Sequence, residues 1–217
     1  METYLSQSIE IEERHLPLKR AFDIAFSVFA LLVFFPLFLG LSILIRVTSR
    51  GPAIYAHERV GRGGKLFRCF KFRSMYADSD ERLKELLQNN NEMKEEWERS
   101  HKLKNDPRIT PIGKFIRKTS LDEFPQFLNV LKGDLSVVGP RPVVRAEVNK
   151  HLKEKAPKIL SVRPGLTGIW QVSGRSNTTY AERINMDETY IDSHNLWLDI
   201  KLIAKTVPAM ISKRGAY

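Results

Sequence analysis

The stretch KTSLDEFPQ, residues 118 to 126, sets two carboxylates, Asp122 and Glu123, side by side in a chain whose formal net charge is +10. Two chemistries suit them. Ser120, Leu121, Asp122 and Glu123 match the S-x-x-E capping box, in which serine and glutamate satisfy orphan amides at a helix start. Alternatively, an exposed carboxylate at a helix N-terminus, flanked by Lys114, Arg117 and Lys118, can bind a divalent cation or attack phosphorus. Pro125 has no N–H to give the carbonyl of Leu121, so an irregular helix start with a freed carbonyl is expected. Local pattern leaves both readings open.

Further cations gather near expected turns. Lys71 and Arg73 end a hairpin, Arg117 precedes the acids, Arg141 lies in GPRP (139–142), and Arg163 and Arg175 surround later glycines. Arginine forks match phosphate oxygens, and rigid loops preset them. Any one of these reads as an ordinary surface residue; together they point to an anionic substrate carrying several phosphates. Asp78-Ser79-Asp80 is a D-x-D pattern that could hold a metal on a nucleotide sugar, although it immediately precedes a helical stretch, where capping explains it. No Cys/His cluster supports zinc and no serine nucleophile elbow is present. His57, His101, His151 and His194 are scattered singly. Gly61, Gly63 and Gly64 match neither phosphate-loop pattern and read as turn residues.

The elements that must position these groups begin with an apolar run from Ala21 to Ile45 whose only charge is Asp23. A bilayer core needs about 20 apolar helical residues, so one span is the plain reading. Pro36 near its middle predicts a sharp kink. Lys19 and Arg20 before the run and Arg46 and Arg50 after it place both ends on the cytoplasmic face. A first arm of about 15 residues, about 22 Å long, is too short to cross, so a re-entrant hairpin bent at Pro36 satisfies both flanks. Ser27 and Ser42 are available hydroxyls in the run, but the sequence places neither at the broken backbone. The acidic first residues argue against a cleaved signal peptide.

The remaining chain predicts a β-hairpin through GPAIYAHERVGRGGKLFRCFKF, one or two amphipathic helices over 80–104, and a short helix before the acids with another behind them. Gly133 marks a stop, a buried strand follows over 135–138, and a helix near 143–155 precedes a second glycine-rich loop and strand. Terminal helices follow, the last interrupted at Pro208. At 217 residues the chain holds one domain with a real core. The fold class is α/β (α+β), helix-rich and membrane-associated, divided as a tail 1–17, a membrane hairpin 18–48 and a catalytic domain 49–217. Lys plus Arg exceed Asp plus Glu by 35 − 25 = 10, which favours anionic partners. Cys69 is the one cysteine and reads as packing in a reducing compartment.

KRAFDI, FKFRSM, DPRITPIGKFIRKTSLDEFPQFLNVLKGDLSVVGPRP, VRPGLTGIWQVSGRS and LWLDIK, in that order, resemble the bacterial polyprenyl-phosphate sugar-1-phosphate transferases, the small monotopic phosphoglycosyl transferases. The resemblance implies transfer of a sugar 1-phosphate from a UDP-sugar to polyprenyl phosphate, with release of UMP. It implies that Asp122 is the nucleophile, carrying a covalent phosphosugar, and that Glu123 assists metal binding or proton handling. Mg2+ held by Asp122 and Glu123 is the implied cofactor. Lys71, Arg73, Arg117, Arg141, Arg163, Arg175 and Asp199 are the expected substrate-side residues. The implied partners are a UDP-sugar, polyprenyl phosphate and a phospholipid membrane, not nucleic acid, with self-association into a homo-oligomer left open. The implied location is the cytoplasmic face of the bacterial inner membrane. Phe35 stands where some members of that family carry serine before the kinking proline. The competing classes are a metal-dependent glycosyltransferase using Asp78 and Asp80, and a basic membrane-anchored module without catalysis.

Overall fold

A computed structural model describes residues 16–100, 103–173 and 178–211. Helix α1, Pro17–Val33, starts with proline in its first turn, where the missing N–H costs nothing. Helix α2, Phe35–Thr48, repeats the device with Pro36. The two meet at a bend of 63°, because proline can open a new helix but cannot extend the old one. Phe34 at the break donates to Ala30 O at 3.0 Å and accepts from Phe38 N at 2.8 Å, so little backbone is orphaned. Neither serine serves the break. Ser42 Oγ donates to Phe38 O at 2.8 Å inside α2, and Ser27 Oγ is buried without a hydrogen bond. Among the described residues no single helix is long and apolar enough to cross a membrane. The pair nevertheless turns Phe29, Leu32, Phe35 and Val47 outward, with more than half of each side chain's surface exposed.

Strands β1, Ile54–Val60, and β2, Leu66–Phe72, form the expected antiparallel hairpin, in register from Ile54 opposite Phe72 to Val60 opposite Leu66. Helices α3, Ser79–Asn89, and α4, Asn91–Ser100, fill the expected amphipathic stretch. Helix α5, Pro111–Lys118, is capped by Thr110, whose hydroxyl accepts from Gly113 N at 2.9 Å. Helix α6, Gln126–Lys132, ends at Gly133, whose φ of 93° belongs to the left-handed region that glycine enters freely.

Strand β3, Ser136–Val138, pairs in parallel with β4, Gly165–Thr167, so the chain has two small sheets among the described residues. This lays the GPRP loop against the later glycine-rich segment. A Cβ on Gly165 would meet Gly139 N at 2.1 Å, so only glycine permits the approach.

The single helix expected over 143–155 is broken. A short α7, Arg145–Glu147, passes into a π turn over Val148–Leu152 and a 3-10 turn over Lys153–Lys155 before α8, Ala156–Ile159. Pro157 cannot donate to the carbonyl of Lys153, which adopts a φ of 46°. Helix α9, Ile169–Ser173, and α10, Tyr180–Ser193, follow. Helix α11, Leu196–Ile211, contains Pro208 without being interrupted there; so near the end of the helix, the proline removes one hydrogen bond and leaves only three residues beyond it.

Two apolar clusters hold these elements. The larger joins Val60, Cys69, Val130, Leu135, Val138, Val148 and Tyr190. The smaller joins Leu41 and Ile45 of α2 to Phe72 and Ile116, with Leu121 and Phe124 packed against it. Leu121 and Phe124 flank the acid pair, so the second cluster fixes the position of Asp122 and Glu123 relative to α2.

Candidate active site

The capping box does not form. Ser120 adopts φ 57°, ψ 16°, makes no side-chain cap, and leads into a 3-10 turn over Leu121–Glu123. The Leu121 carbonyl that Pro125 cannot serve is not free either: Phe124 N donates to it at 3.2 Å. A left-handed serine costs about 1 kcal/mol, and it redirects the chain so that both acids leave the turn towards β2.

There they meet Lys71. Its ammonium lies 2.8 Å from Glu123 Oε1 and 3.7 Å from Asp122 Oδ2. The Asp122 side chain is 15% exposed, so it is less open than a carboxylate at a free helix start. Burial pushes its pKa up, Glu123 adds to the rise, and Lys71 and Arg117 oppose it. Burial pulls the Lys71 ammonium down, but the two carboxylates outweigh this and its net shift is upward. Arg117 is oriented by Ser74, to whose hydroxyl its Nε donates at 2.8 Å. The bend of the apolar helices is close by, with the Phe34 and Phe124 rings 5.0 Å apart, edge to face.

Arg141 faces the same region. Its charge acts on both Lys71 and Arg59, and its guanidinium lies over the Trp170 ring at 5.2 Å. Lys71, Arg117 and Arg141 thus lie within electrostatic reach of one another or of the acid pair.

Three expected site residues lie elsewhere or face away. Asp199 is fully buried and bonded to Lys19 at 2.8 Å, to Tyr190 OH at 2.8 Å and to His194 at 3.4 Å. With no exposed surface and its oxygens engaged, it anchors the foot of α1 and is not positioned to meet a substrate. Burial pushes its carboxyl up, but the hydrogen bonds from His194, Lys19 and Tyr190 leave its pKa below the usual carboxylate range. Arg163 donates from Nε to Gly133 O at 2.8 Å and lines a cleft with Lys19, Arg20, Tyr190 and His194 at that same foot. Arg73 is 8% exposed and donates from Nη2 to Ser49 O at 2.6 Å, closing the end of α2. Arg175 lies outside the described residues. Asp78 occupies the N-cap position of α3 without a side-chain cap and pairs with Arg82 on the surface at 2.8 Å. The D-x-D pattern is thus an exposed helix start. Among the described residues no group of three or more His, Cys, Asp or Glu could hold a metal unaided.

Sequence reasoning missed Ser74 and Asn129. Asn129 is fully buried in α6; its Oδ1 accepts from Phe70 N at 2.9 Å and its Nδ2 donates to Arg68 O at 2.8 Å, locking α6 to the edge of β2. One amide inside the apolar run FLNVL was the available signal.

Adjacent carboxylates braced by lysine and arginine lie beside a bent apolar helix pair. The chain belongs to the bacterial sugar transferase family, whose model matches residues 14–213. It is 51% identical over 201 residues to the undecaprenyl-phosphate galactose phosphotransferase of Salmonella typhimurium, covering 92% of this chain and 42% of that protein. It is 45% identical over 199 residues to the exopolysaccharide production protein ExoY of Rhizobium meliloti, covering 92% and 88% respectively. With the UDP-glucose:undecaprenyl-phosphate glucose-1-phosphate transferase of Escherichia coli it shares 36% identity over 207 residues, covering 92% and 41%. The chain thus spans about two fifths of the Salmonella and Escherichia relatives and most of the Rhizobium one.

Proposed function

We propose that this protein transfers a hexose 1-phosphate from a UDP-sugar to a polyprenyl phosphate at the cytoplasmic face of a bacterial inner membrane. The observation that carries the reading is the convergence of Lys71 on both Asp122 and Glu123. One partly buried ammonium shared by two adjacent carboxylates favours their ionised forms, the state in which Asp122 can attack phosphorus.

In the first step an Asp122 oxygen attacks the sugar-bearing phosphorus. A new O–P bond forms, the bond to the bridging oxygen breaks, and UMP leaves with that oxygen. In the second step a phosphate oxygen of the polyprenyl acceptor attacks the same phosphorus, releasing the Asp122 carboxylate and leaving a polyprenyl diphosphate sugar. Dividing the reaction lets one carboxylate serve a soluble donor and a lipid-bound acceptor in turn. Burial raises the basicity of Asp122 while Lys71 and Arg117 keep its ionised form accessible. Arg117 and Arg141 present forks to the diphosphate.

Mg2+ suits the donor set, since it is bound by one or two carboxylates together with substrate phosphates and needs no third protein acid. Glu123, with Asp122 beside it, would hold the ion, which neutralises diphosphate charge when bound. The bent α1–α2 pair, with its outward apolar side chains, would dip into one leaflet and keep the site at headgroup height, where the acceptor phosphate resides. Galactose is the first sugar to test, on the strength of the Salmonella relative.

The test incubates the membrane-embedded protein with UDP-galactose labelled in the sugar, Mg2+ and no acceptor, then adds polyprenyl phosphate. Wild type should carry a labelled adduct, lose it on addition of acceptor, and release UMP; Asp122→Asn should do none of these. Release of UDP would indicate glycosyl transfer instead. Full turnover in Asp122→Asn would remove the nucleophile from this account.

A further inference from the structure

The later elements carry a ladder of rings and cations of which only Arg141 has a role in the transfer steps. His151 stacks on Tyr180 with centroids 3.9 Å apart and planes at 17°. Arg183 of α10 lies over Tyr180 at 4.8 Å and over the Trp170 indole at 4.9 Å. Arg141 lies over the same indole at 5.2 Å. Trp170 is itself held by a hydrogen bond from Nε1 to Thr178 Oγ1 of 2.6 Å. A continuous set of contacts therefore runs from the π turn to the GPRP loop.

Among the described residues Arg141 makes no hydrogen bond and no ion pair; its contact with the indole is the contact that orients it. A cation–π contact engages the guanidinium through the face of the ring and needs no hydrogen bond from its N–H groups, which phosphate recognition uses. Contact with Trp170 therefore restrains the Arg141 guanidinium and leaves its donors uncommitted among the described residues. Two guanidiniums over one indole repel each other, and Asp187 on α10, 4% exposed, lies near enough to interact electrostatically with both. Arg183 is also braced from behind by Glu147, at 3.9 Å from its Nη1.

We propose that Arg183 is a positioning residue for the transfer, holding the Trp170 indole so that the guanidinium edge of Arg141 faces the substrate diphosphate. This rests on the transfer reading above. It places the support for the anion clamp on α10, 42 residues beyond Arg141 in the chain (183 − 141), in a helix with no side chain in the acid cluster.

The test is a double-mutant cycle of Arg183→Met and Arg141→Ala in the full membrane-embedded chain, read as kcat/KM for UMP release and as affinity for UDP by calorimetry. Each single change should lower kcat/KM by roughly tenfold or more, and the double variant should fall no more than about twofold below Arg141→Ala alone. Arg183→Lys, which keeps the charge without the plane, should resemble Arg183→Met. Trp170→Phe, which keeps a ring face, should retain most activity. Losses that multiply in the double variant would overturn the proposal, because Arg183 would then act independently of Arg141. Should Arg183→Met fail to fold, Trp170→Leu takes its place in the same cycle with the same two outcomes. If the wild type releases no UMP, the transfer reading fails, while the cycle in UDP affinity still decides the coupling: non-additive losses uphold it and additive ones defeat it.

Discussion

Lys71 and Glu123, 52 residues apart in the chain, meet at 2.8 Å on the face where β2 passes the acid turn. The same ammonium is 3.7 Å from Asp122. One cation therefore serves two adjacent carboxylates, and it does so unequally. Glu123 takes the hydrogen bond, which leaves Asp122, the more buried acid, with the less committed oxygens and the raised basicity that a nucleophile needs.

Replacing Lys71 with Met should lower turnover by roughly a hundredfold, the scale seen when a preorganised cationic or donor group is lost from a charged transition state. The pH profile should also move. Lys71 lowers the Asp122 pKa against the effect of burial, so its removal lets that pKa rise. Asp122 must be ionised to attack, and the acid limb of kcat/KM should shift to higher pH. An unmoved acid limb would show that Lys71 does not set the Asp122 charge.

Ser120 is a non-glycine residue at φ 57°, immediately before the acid turn. Ser120→Gly should fold with unchanged or slightly higher stability, because glycine enters this region freely. Ser120→Val should cost about 1–3 kcal/mol in denaturant unfolding and lower activity with it, since a β-branched side chain there is strained. Equal stability of the two variants would mean that the turn tolerates another conformation.

Burial pushes the Asp187 carboxyl up to about 7, with Arg183 and Arg141 opposing the shift. Between the ordinary aspartate range near pH 4 and pH 7, the folded state holds a proton that the unfolded chain has released. This residue's contribution to stability therefore falls as pH rises through that window. Asp187→Asn should flatten the decline and be more stable than wild type at pH 8, by on the order of a few kcal/mol. The check is urea unfolding at pH 5 and pH 8; identical pH slopes in the two proteins would refute the assignment.

Asp199 is fully buried and ties Lys19 of α1 to Tyr190 and His194. Asp199→Leu leaves a largely buried ammonium with only Asp23, at 3.3 Å, and should destabilise the protein by roughly 3 kcal/mol. Adding Lys19→Met removes the stranded charge and should recover much of the loss. Thermal unfolding of the single and double variants decides; a single variant as stable as wild type would mean that the cluster does not anchor α1.

The sequence by itself determined the local devices. Pro36 dictates the break in the apolar run, Gly133 the end of α6, and the alternation on either side of Gly61 to Gly64 the hairpin, because each follows from dihedral limits or from hydrogen bonds spanning a few residues. It also singled out the acid pair and, among six cations near turns, Lys71, Arg117 and Arg141, which the fold brings near the acids. Tertiary structure decided what the acids do with their charge. Ser120 and Glu123 have capping-box spacing, yet Glu123 turns to Lys71, since a partly buried ammonium offers a carboxylate more than an exposed amide does. It likewise withdrew Asp199 and Arg163 to the foot of α1 and set Arg183 beside Trp170. None of these pairings has a period or a spacing to be read, for each depends on how separate elements pack, and a long-range ion pair exists only once that packing brings its partners within a few ångströms.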